Sequence, residues 1–363
     1  MRKYRVAQVG AGNRGMTHVN GFLALPDRFE LVAVCDLDEK RMKERLAGKN
    51  IPTTYADAER MLAETQPDVF CFVTWPSVRL DMVKLAVKYG VKGLAFEKPM
   101  ATSLHEAATI RDLCREHGIK AVVSHQQKYL TSLQRVQRTA TSGDLGQITH
   151  IEAHCQAHLS QLGTHYMDYI MWANGDHRAK WVVGHVHGPK MLNDSHPSPD
   201  YMLGYVLFEN GVRASIQCGY LTPAYMNKES FWCDNRLTVY GTHGYAWGDT
   251  EGRFGAFTRT SGGEILSEFG PGYDPSKPCA GWATQERSTL QKLYLAELAD
   301  WLDDDTRVHS CNVDTAYHGY EVLEGLCISA LDNTRVDLPL DPAKCVDIND
   351  RMRRELPALP AVK

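Results

Sequence analysis

Between Tyr4 and Ser124, short apolar runs alternate with stretches of helical periodicity. The runs Tyr4–Val9, Glu30–Cys35, Val69–Thr74, Gly93–Phe96 and Ala121–Ser124 predict strands. The segments Gly15–Leu25, Asp38–Leu46, Ala56–Glu64, Ser77–Tyr89 and Ser103–His117 predict helices, with Ser103 at an N-cap, Glu106 at the capping-box position, and Gly90 and Gly118 as stops. Nearly continuous apolar strands separated by helices predict an α/β domain with a doubly wound parallel sheet, covered on both faces.

After Gly143-Asp144-Leu145-Gly146 the pattern changes to a period of two. Alternating runs at Ile148–Ala157, Trp181–His187, Met202–Glu209, Val212–Gly219, Arg236–Tyr240 and Tyr245–Trp247 predict a large, mostly antiparallel open sheet, and Glu209-Asn210-Gly211 is a hairpin turn. Helical patterns at Thr164–Trp172, Gln285–Leu302 and Val313–Asp332 make this second part α+β. The helix Gln285–Leu302 can pack on the open sheet or cross back to the first part. Ser195–Asp200 and Ser261–Pro278 read as loops, and the tail after Asp341 is polar. The expected division is residues 1–125 for nucleotide binding and 126–363 for substrate binding and oligomerisation. One layer of helices covers one sheet face only, so the other calls for self-association as a homodimer or homotetramer.

The first predicted strand runs into Gly10-Ala11-Gly12-Asn13-Arg14-Gly15, and Asp36 closes the second. Gly10 suits a sharp turn, Gly12 lets a pyrophosphate approach the backbone, and Gly15 lets the following helix pack close, its N-terminal N–H groups facing phosphate. Asp36, about twenty residues on, can accept bonds from a ribose diol. A carboxylate there repels a 2′-phosphate, and Arg41, the nearest arginine, falls on the next helix. NAD is therefore expected over NADP.

Bulk numbers narrow the rest. A chain of 363 residues suits two domains. A net charge of −4 leaves no basic footprint for nucleic acid or an anionic membrane, and no apolar stretch is long enough to span a bilayer. The chain enters its first strand at once, without a signal-peptide pattern. None of the ten cysteines forms a C-x-x-C pair, and Cys35, Cys71, Cys114, Cys218 and Cys327 lie in apolar patterns. Reduced thiols and a cytoplasmic location are expected.

Chemistry is sought at strand ends. Glu97-Lys98-Pro99 follows the fourth strand, where a lysine can bond a substrate hydroxyl and steady an alkoxide; a surface ion pair beside a turn would use the same residues. Thr74-Trp75-Pro76 ends the third strand on the nicotinamide side of the same crevice, and His125 and Gln126 follow the fifth. In Gln161-Leu162-Gly163-Thr164-His165-Tyr166-Met167-Asp168, His165 and Asp168 share a helix face, as a proton acceptor and its tuning acid would; packing or capping roles would also fit. Eight of the fifteen histidines lie between His150 and His196. His154 and His158 sit in a strand pattern too far apart to chelate, so no metal is expected. They suit contacts to a polyhydroxylated ligand.

Together these motifs resemble the Gfo/Idh/MocA oxidoreductase family, over nearly the whole chain. The resemblance implies a Rossmann domain and a C-terminal α+β domain whose open sheet mediates oligomerisation. It implies NAD(P)-linked oxidation of a secondary hydroxyl on a sugar, polyol or related compound. Lys98 carries over as the catalytic lysine and His165, assisted by Asp168, as the proton-transfer residue. The cofactor-contacting set is Gly10, Gly12, Asn13, Arg14, Gly15, Asp36, Thr74, Trp75, Pro76, Glu97, Lys98 and Gln126. The substrate-contacting set is Lys98, Gln126, His154, His158, Gln161 and His165. One departure stands out: sugar and inositol dehydrogenases of the family usually have aspartate four residues before the histidine, and this chain has Gln161. That leaves open a redox-neutral, NAD-dependent glycosidase or lyase and, further off, a non-catalytic NAD-binding sensor.

Overall fold

The computed structural model describes residues 2–223, 233–263 and 265–357. The chain forms two compact units. The first comprises Met1–Ala101, Glu106–Gln126 and Arg287–Ala316, and the second Thr102–His105, Gln127–Glu286 and Tyr317–Lys363.

In the first unit the strands are β1 (Tyr4–Val9), β2 (Phe29–Cys35), β3 (Thr53–Tyr55), β4 (Val69–Phe72), β5 (Gly93–Glu97) and β6 (Lys120–Ser124). They lie in the order β3-β2-β1-β4-β5-β6, all parallel. The expected doubly wound sheet is present. Every side chain of β4 and β5 is buried, as a sheet covered on both faces requires. The helices are α1 (Asn13–Leu23), α2 (Glu39–Leu46), α3 (Ala58–Thr65), α4 (Arg79–Lys88) and α5 (Leu104–Glu116). The exposed strand β3 was not read from the sequence, because three residues with no apolar run leave no pattern.

The second unit carries α6 (Thr131–Thr141), α7 (Thr164–Ala173) and α8 (Ala280–Gln285). The next helix, α9 (Gln291–Asp303), belongs to the first unit, so a single cut after residue 125 is replaced by a discontinuous division. The cause lies in α1: a Cβ on Gly21 would come within 2.9 Å of Gln291 and Leu295, so glycine lets α9 lie directly against α1. Two further helices, α10 (Val313–Asp332) and α11 (Ile348–Glu355), follow; α11 occupies the tail that reads only as polar.

The second sheet has nine strands: β7 (Ile148–Cys155), β8 (Ala179–His187), β9 (Tyr201–Phe208), β10 (Arg213–Gly219), β11 (Asn235–Gly241), β12 (Gly244–Asp249), β13 (Arg253–Phe257), β14 (Leu266–Phe269) and β15 (Val336–Asp337). Their order is β14-β13-β12-β11-β7-β10-β9-β8-β15, antiparallel except for β7 with β10. β14 falls within the expected loop Ser261–Pro278, of which residue 264 lies outside the described residues; its four side chains are all exposed, so no burial pattern announced it.

One face of this sheet is core, with Ile151, Ala153, Val182, Val206, Ile216 and Leu237 buried. Backbone from α6 and α10 presses on this side so closely that a Cβ on Gly248 or Gly184 would collide with Ser132 O or Leu326 O. The other face is open: Val183, Leu203 and Tyr205 are each more than 40% exposed.

Eight cysteines are buried thiols outside any disulfide, as expected of core thiols. The expectation of reduced thiols throughout is corrected at one place: Cys233 and Cys279, 46 residues apart, form a disulfide. Their sequence spacing gives no hint of it, because the fold alone brings them together. Among the described residues, no helix is long and apolar enough to cross a membrane.

Candidate active site

The glycine loop begins where β1 ends. Gly10 has φ +96°, and a Cβ there would lie 2.4 Å from Val73 O; one on Gly15 would lie 2.2 Å from Gly10 O. Both positions therefore require glycine. Gly12 differs, since a Cβ would meet nothing within 4 Å. It is the N-cap of α1 and leaves open space above the helix N-terminus, where a phosphate is stabilised by free N–H groups. Gln8, not singled out in the sequence, braces the loop: its Nε2 donates to Gly10 O and Gly15 O, both at 2.9 Å.

Asp36 stands one residue past β2. It accepts from Ala11 N–H at 2.7 Å, Asp38 N–H at 2.9 Å and Arg41 Nη2 at 3.0 Å. Burial pushes its pKa up, but the two backbone donors and the Arg41 guanidinium outweigh this and hold it below the ordinary value. An ionised carboxylate thus stands where a ribose diol would be bound. Asn13 Oδ1 accepts from Arg45 Nη2 at 2.7 Å.

At the ends of β4 and β5, Thr74 Oγ1 is buried without a hydrogen-bond partner, Trp75 is 60% exposed and Pro76 is buried. The open space over Gly12, the ionised Asp36 and the unsatisfied Thr74 hydroxyl fit a dinucleotide. Arg79, fully buried, donates to Thr74 O at 2.9 Å and Lys98 O at 3.3 Å, fixing both strand-end loops to each other. Nothing in the sequence pattern singled it out. Lys98 is half-buried, and its bond to Pro99 is cis.

Glu97 and Arg14 were assigned to the cofactor from the resemblance. The structure pairs half-buried Arg14 with buried Glu97: Arg14 Nε lies 2.7 Å and His18 Nε2 2.9 Å from Glu97 Oε1. Burial alone would raise the Glu97 pKa, but Arg14 and His18 hold it well below the usual range. Gln291 of α9 donates to His18 Nδ1 at 3.1 Å. Gln126 is also buried, and accepts from Ser124 Oγ at 3.2 Å.

In the second unit the segment before α7 is a π-helical turn, Leu159–Gly163, with His158 at its N-cap. π-turns recur at functional sites. Gln161 Oε1 accepts from His158 N–H at 3.3 Å, so this side chain has a local capping role that the sequence comparison could not reveal. His158 lies past the end of β7, which corrects its placement in a strand. Its ring meets Tyr220 edge-on at 4.7 Å, and burial lowers its pKa, favouring the neutral imidazole. His154 is on β7 at the parity opposite to buried Ala153 and Cys155, hence on the open sheet face. That alternation separates it from the π-turn and α7.

His165 is buried on α7 and bonds Tyr169 Oη through Nδ1 at 3.0 Å. Asp168 was expected to assist it. The structure also gives Asp168 a cation: Lys128 Nζ lies 2.8 Å from its Oδ2, with side-chain exposures of 0% and 1%. Tyr169 and Lys128 are partners that spacing alone does not disclose.

Comparison with known proteins identifies the family. The oxidoreductase family model for the NAD-binding Rossmann fold matches residues 4–125, and the GFO/IDH/MocA C-terminal domain model matches residues 133–247. The chain belongs to the GFO/IDH/MocA family. Its first unit is the NAD-binding Rossmann domain of that family. Among relatives, D-apiose dehydrogenase of Paraburkholderia graminis is 24% identical over 237 residues, covering 61% of each chain, so the match spans less than two thirds of that protein. A glycosyl hydrolase family 109 protein of Akkermansia muciniphila is 35% identical over 127 residues, 31% of this chain and 25% of the other. Levoglucosan dehydrogenase, solved with NADH and L-sorbose, superposes with a TM-score of 0.78 at 14% identity, covering 94% of this chain and all of that one. At that identity the likeness concerns the fold.

Proposed function

We propose that the protein is an NAD-dependent oxidoreductase that oxidises a secondary hydroxyl of a sugar, polyol or glycoside. The observation that carries this is the preformed dinucleotide cradle of Gly10, Gly12, Gly15, Asp36 and Thr74, in the same unit as Lys98, in a chain of this family. NAD, when bound, supplies the hydride acceptor. The open backbone at Gly12 receives the pyrophosphate, and Asp36 accepts from the ribose hydroxyls and disfavours a 2′-phosphate. Lys98 donates a hydrogen bond to the reacting oxygen and stabilises its developing negative charge. His165 accepts the hydroxyl proton, with Tyr169 fixing its ring. Gln126, His158 and Gln161 are proposed to hold neighbouring hydroxyls, while Asp168 and Lys128 position α7.

The open sheet face, with Val183, Leu203 and Tyr205 exposed, supports self-association as a homodimer or homotetramer. Light scattering at micromolar concentration tests it, and a monomer would contradict it. For the activity, polyols, sugars and glycosides are supplied with NAD or NADP. Growth of reduced-nicotinamide absorbance with NAD supports the proposal. Release of an aglycone without that growth assigns the redox-neutral reaction, for which the glycosyl hydrolase family 109 relative is the supporting observation. Binding of NAD with neither outcome would contradict both.

A further inference from the structure

A cluster in the second unit takes no part in the chemistry above. Cys233 precedes β11, Glu251 lies in the turn between β12 and β13, and Cys279 precedes α8. One ligand atom from each, two Sγ and a carboxylate oxygen, lie within 4.8 Å of one another. Cys233 and Glu251 are 0% and 2% exposed, while Cys279 is half-buried, so solvent reaches the cluster from the Cys279 side. Glu251 Oε2 accepts from Gly281 N–H at 3.3 Å. The Cys279 backbone N–H also faces this carboxylate, yet its Oε1 is buried without a hydrogen-bond partner. A buried carboxylate oxygen lacking a donor is costly, and its presence beside two sulfurs points to a cation.

We infer that, once the Cys233–Cys279 disulfide is reduced, the protein binds one thiophilic divalent cation of the Zn2+ class through Cys233, Cys279 and Glu251. Two thiolates and one carboxylate suit Zn2+ or Co2+, and exclude Mg2+ and Ca2+, which take all-oxygen shells. Three protein ligands leave a fourth tetrahedral position for water. Zn–S bonds of about 2.3 Å hold two sulfurs roughly 3.8 Å apart, within reach of side chains whose Cα atoms are 5.5 Å apart. The disulfide is the closed state of the same site. A dithiol reductant supplies two electrons and two protons: the S–S bond breaks, two thiols form, and the reductant becomes its own disulfide. Cation binding then expels the two thiol protons to solvent. The cluster also anchors α8, whose Gln285 Oε1 accepts from Thr131 N–H and Oγ1 at the start of α6.

The test uses the full-length protein, reduced with a dithiol, stripped with a chelator, desalted, and titrated with Co2+. The expected result is one Co2+ per chain with a thiolate-to-cobalt charge-transfer band, absent from the oxidised protein and from Cys279→Ser, and at least tenfold weaker in affinity in Glu251→Gln. In the unmutated protein, Zn2+ should slow alkylation of Cys233 and Cys279 at least tenfold, read by peptide mass spectrometry, so the conclusion does not depend on variants folding. No band in the reduced protein, an equal band in Cys279→Ser, or alkylation unaffected by Zn2+ would overturn the inference.

Discussion

Replacing Asp168 with Asn should destabilise the second unit far more than a surface change would. Lys128 Nζ lies 2.8 Å from Asp168 Oδ2, with both side chains buried. At an effective dielectric constant of about 20, the attraction at that separation is roughly 6 kcal/mol, much of it offset by dehydration of the two ions. Asparagine keeps the shape and removes the charge. The buried Lys128 ammonium then loses its carboxylate partner at 2.8 Å, while the Trp172 ring at 5.3 Å and the Asp176 carboxylate still favour its charge. The expected loss is about 3–5 kcal/mol. Lys128→Met should cost a similar amount by removing the cation beside the buried carboxylate. The double variant Lys128→Met/Asp168→Asn should lose clearly less than the sum, because both charges of the pair are then removed together. Urea unfolding followed by circular dichroism measures all three. Single losses under about 1 kcal/mol, or strict additivity, would refute a structural ion pair here.

Other consequences can be measured independently. Asp36→Ser removes the carboxylate and frees Arg41 for a 2′-phosphate, so the ratio of NADP to NAD affinity should rise about tenfold or more by calorimetry. Gly15→Ala forces a Cβ against Gly10 O and should weaken NAD binding while costing about 1–3 kcal/mol of stability by thermal melting. Burial raises Glu324 from 4.5 to about 8. The unfolded chain ionises above about pH 4.5 while the folded chain keeps the proton, so stability falls as pH rises towards 8. Glu324→Gln lacks that loss and should be more stable than wild type by up to a few kcal/mol near pH 8, with the difference vanishing near pH 4.

The first sheet was legible, apart from its edge strand β3, because its other strands carry mostly apolar, buried runs, and because Gly10, Gly12, Gly15 and Asp36 each answer to one steric or electrostatic demand. The second sheet was legible in its central strands, where burial alternates. Its edges were not: the four residues of β14 are all exposed, and β15 has only two. The crossing of α9 to the first unit depends on one glycine, Gly21, whose significance is visible only against Gln291 and Leu295. The candidate site divides in the same way. Lys98 and His165 stand in motifs, whereas their supports, Arg79, Tyr169 and Lys128, are defined by three-dimensional contacts. Gln161 looked like a substituted catalytic position, yet its amide caps a π-turn.

Hydride transfer itself is the most direct test. Polyols, sugars and glycosides deuterated at their carbinol carbons are incubated with the protein and NAD, and the recovered cofactor is examined by mass spectrometry. Deuterium should appear on the nicotinamide with at least one substrate, and should be lost in Lys98→Ala although NAD still binds. Bound NAD that never acquires the label, or labelling undiminished in Lys98→Ala, would contradict the account.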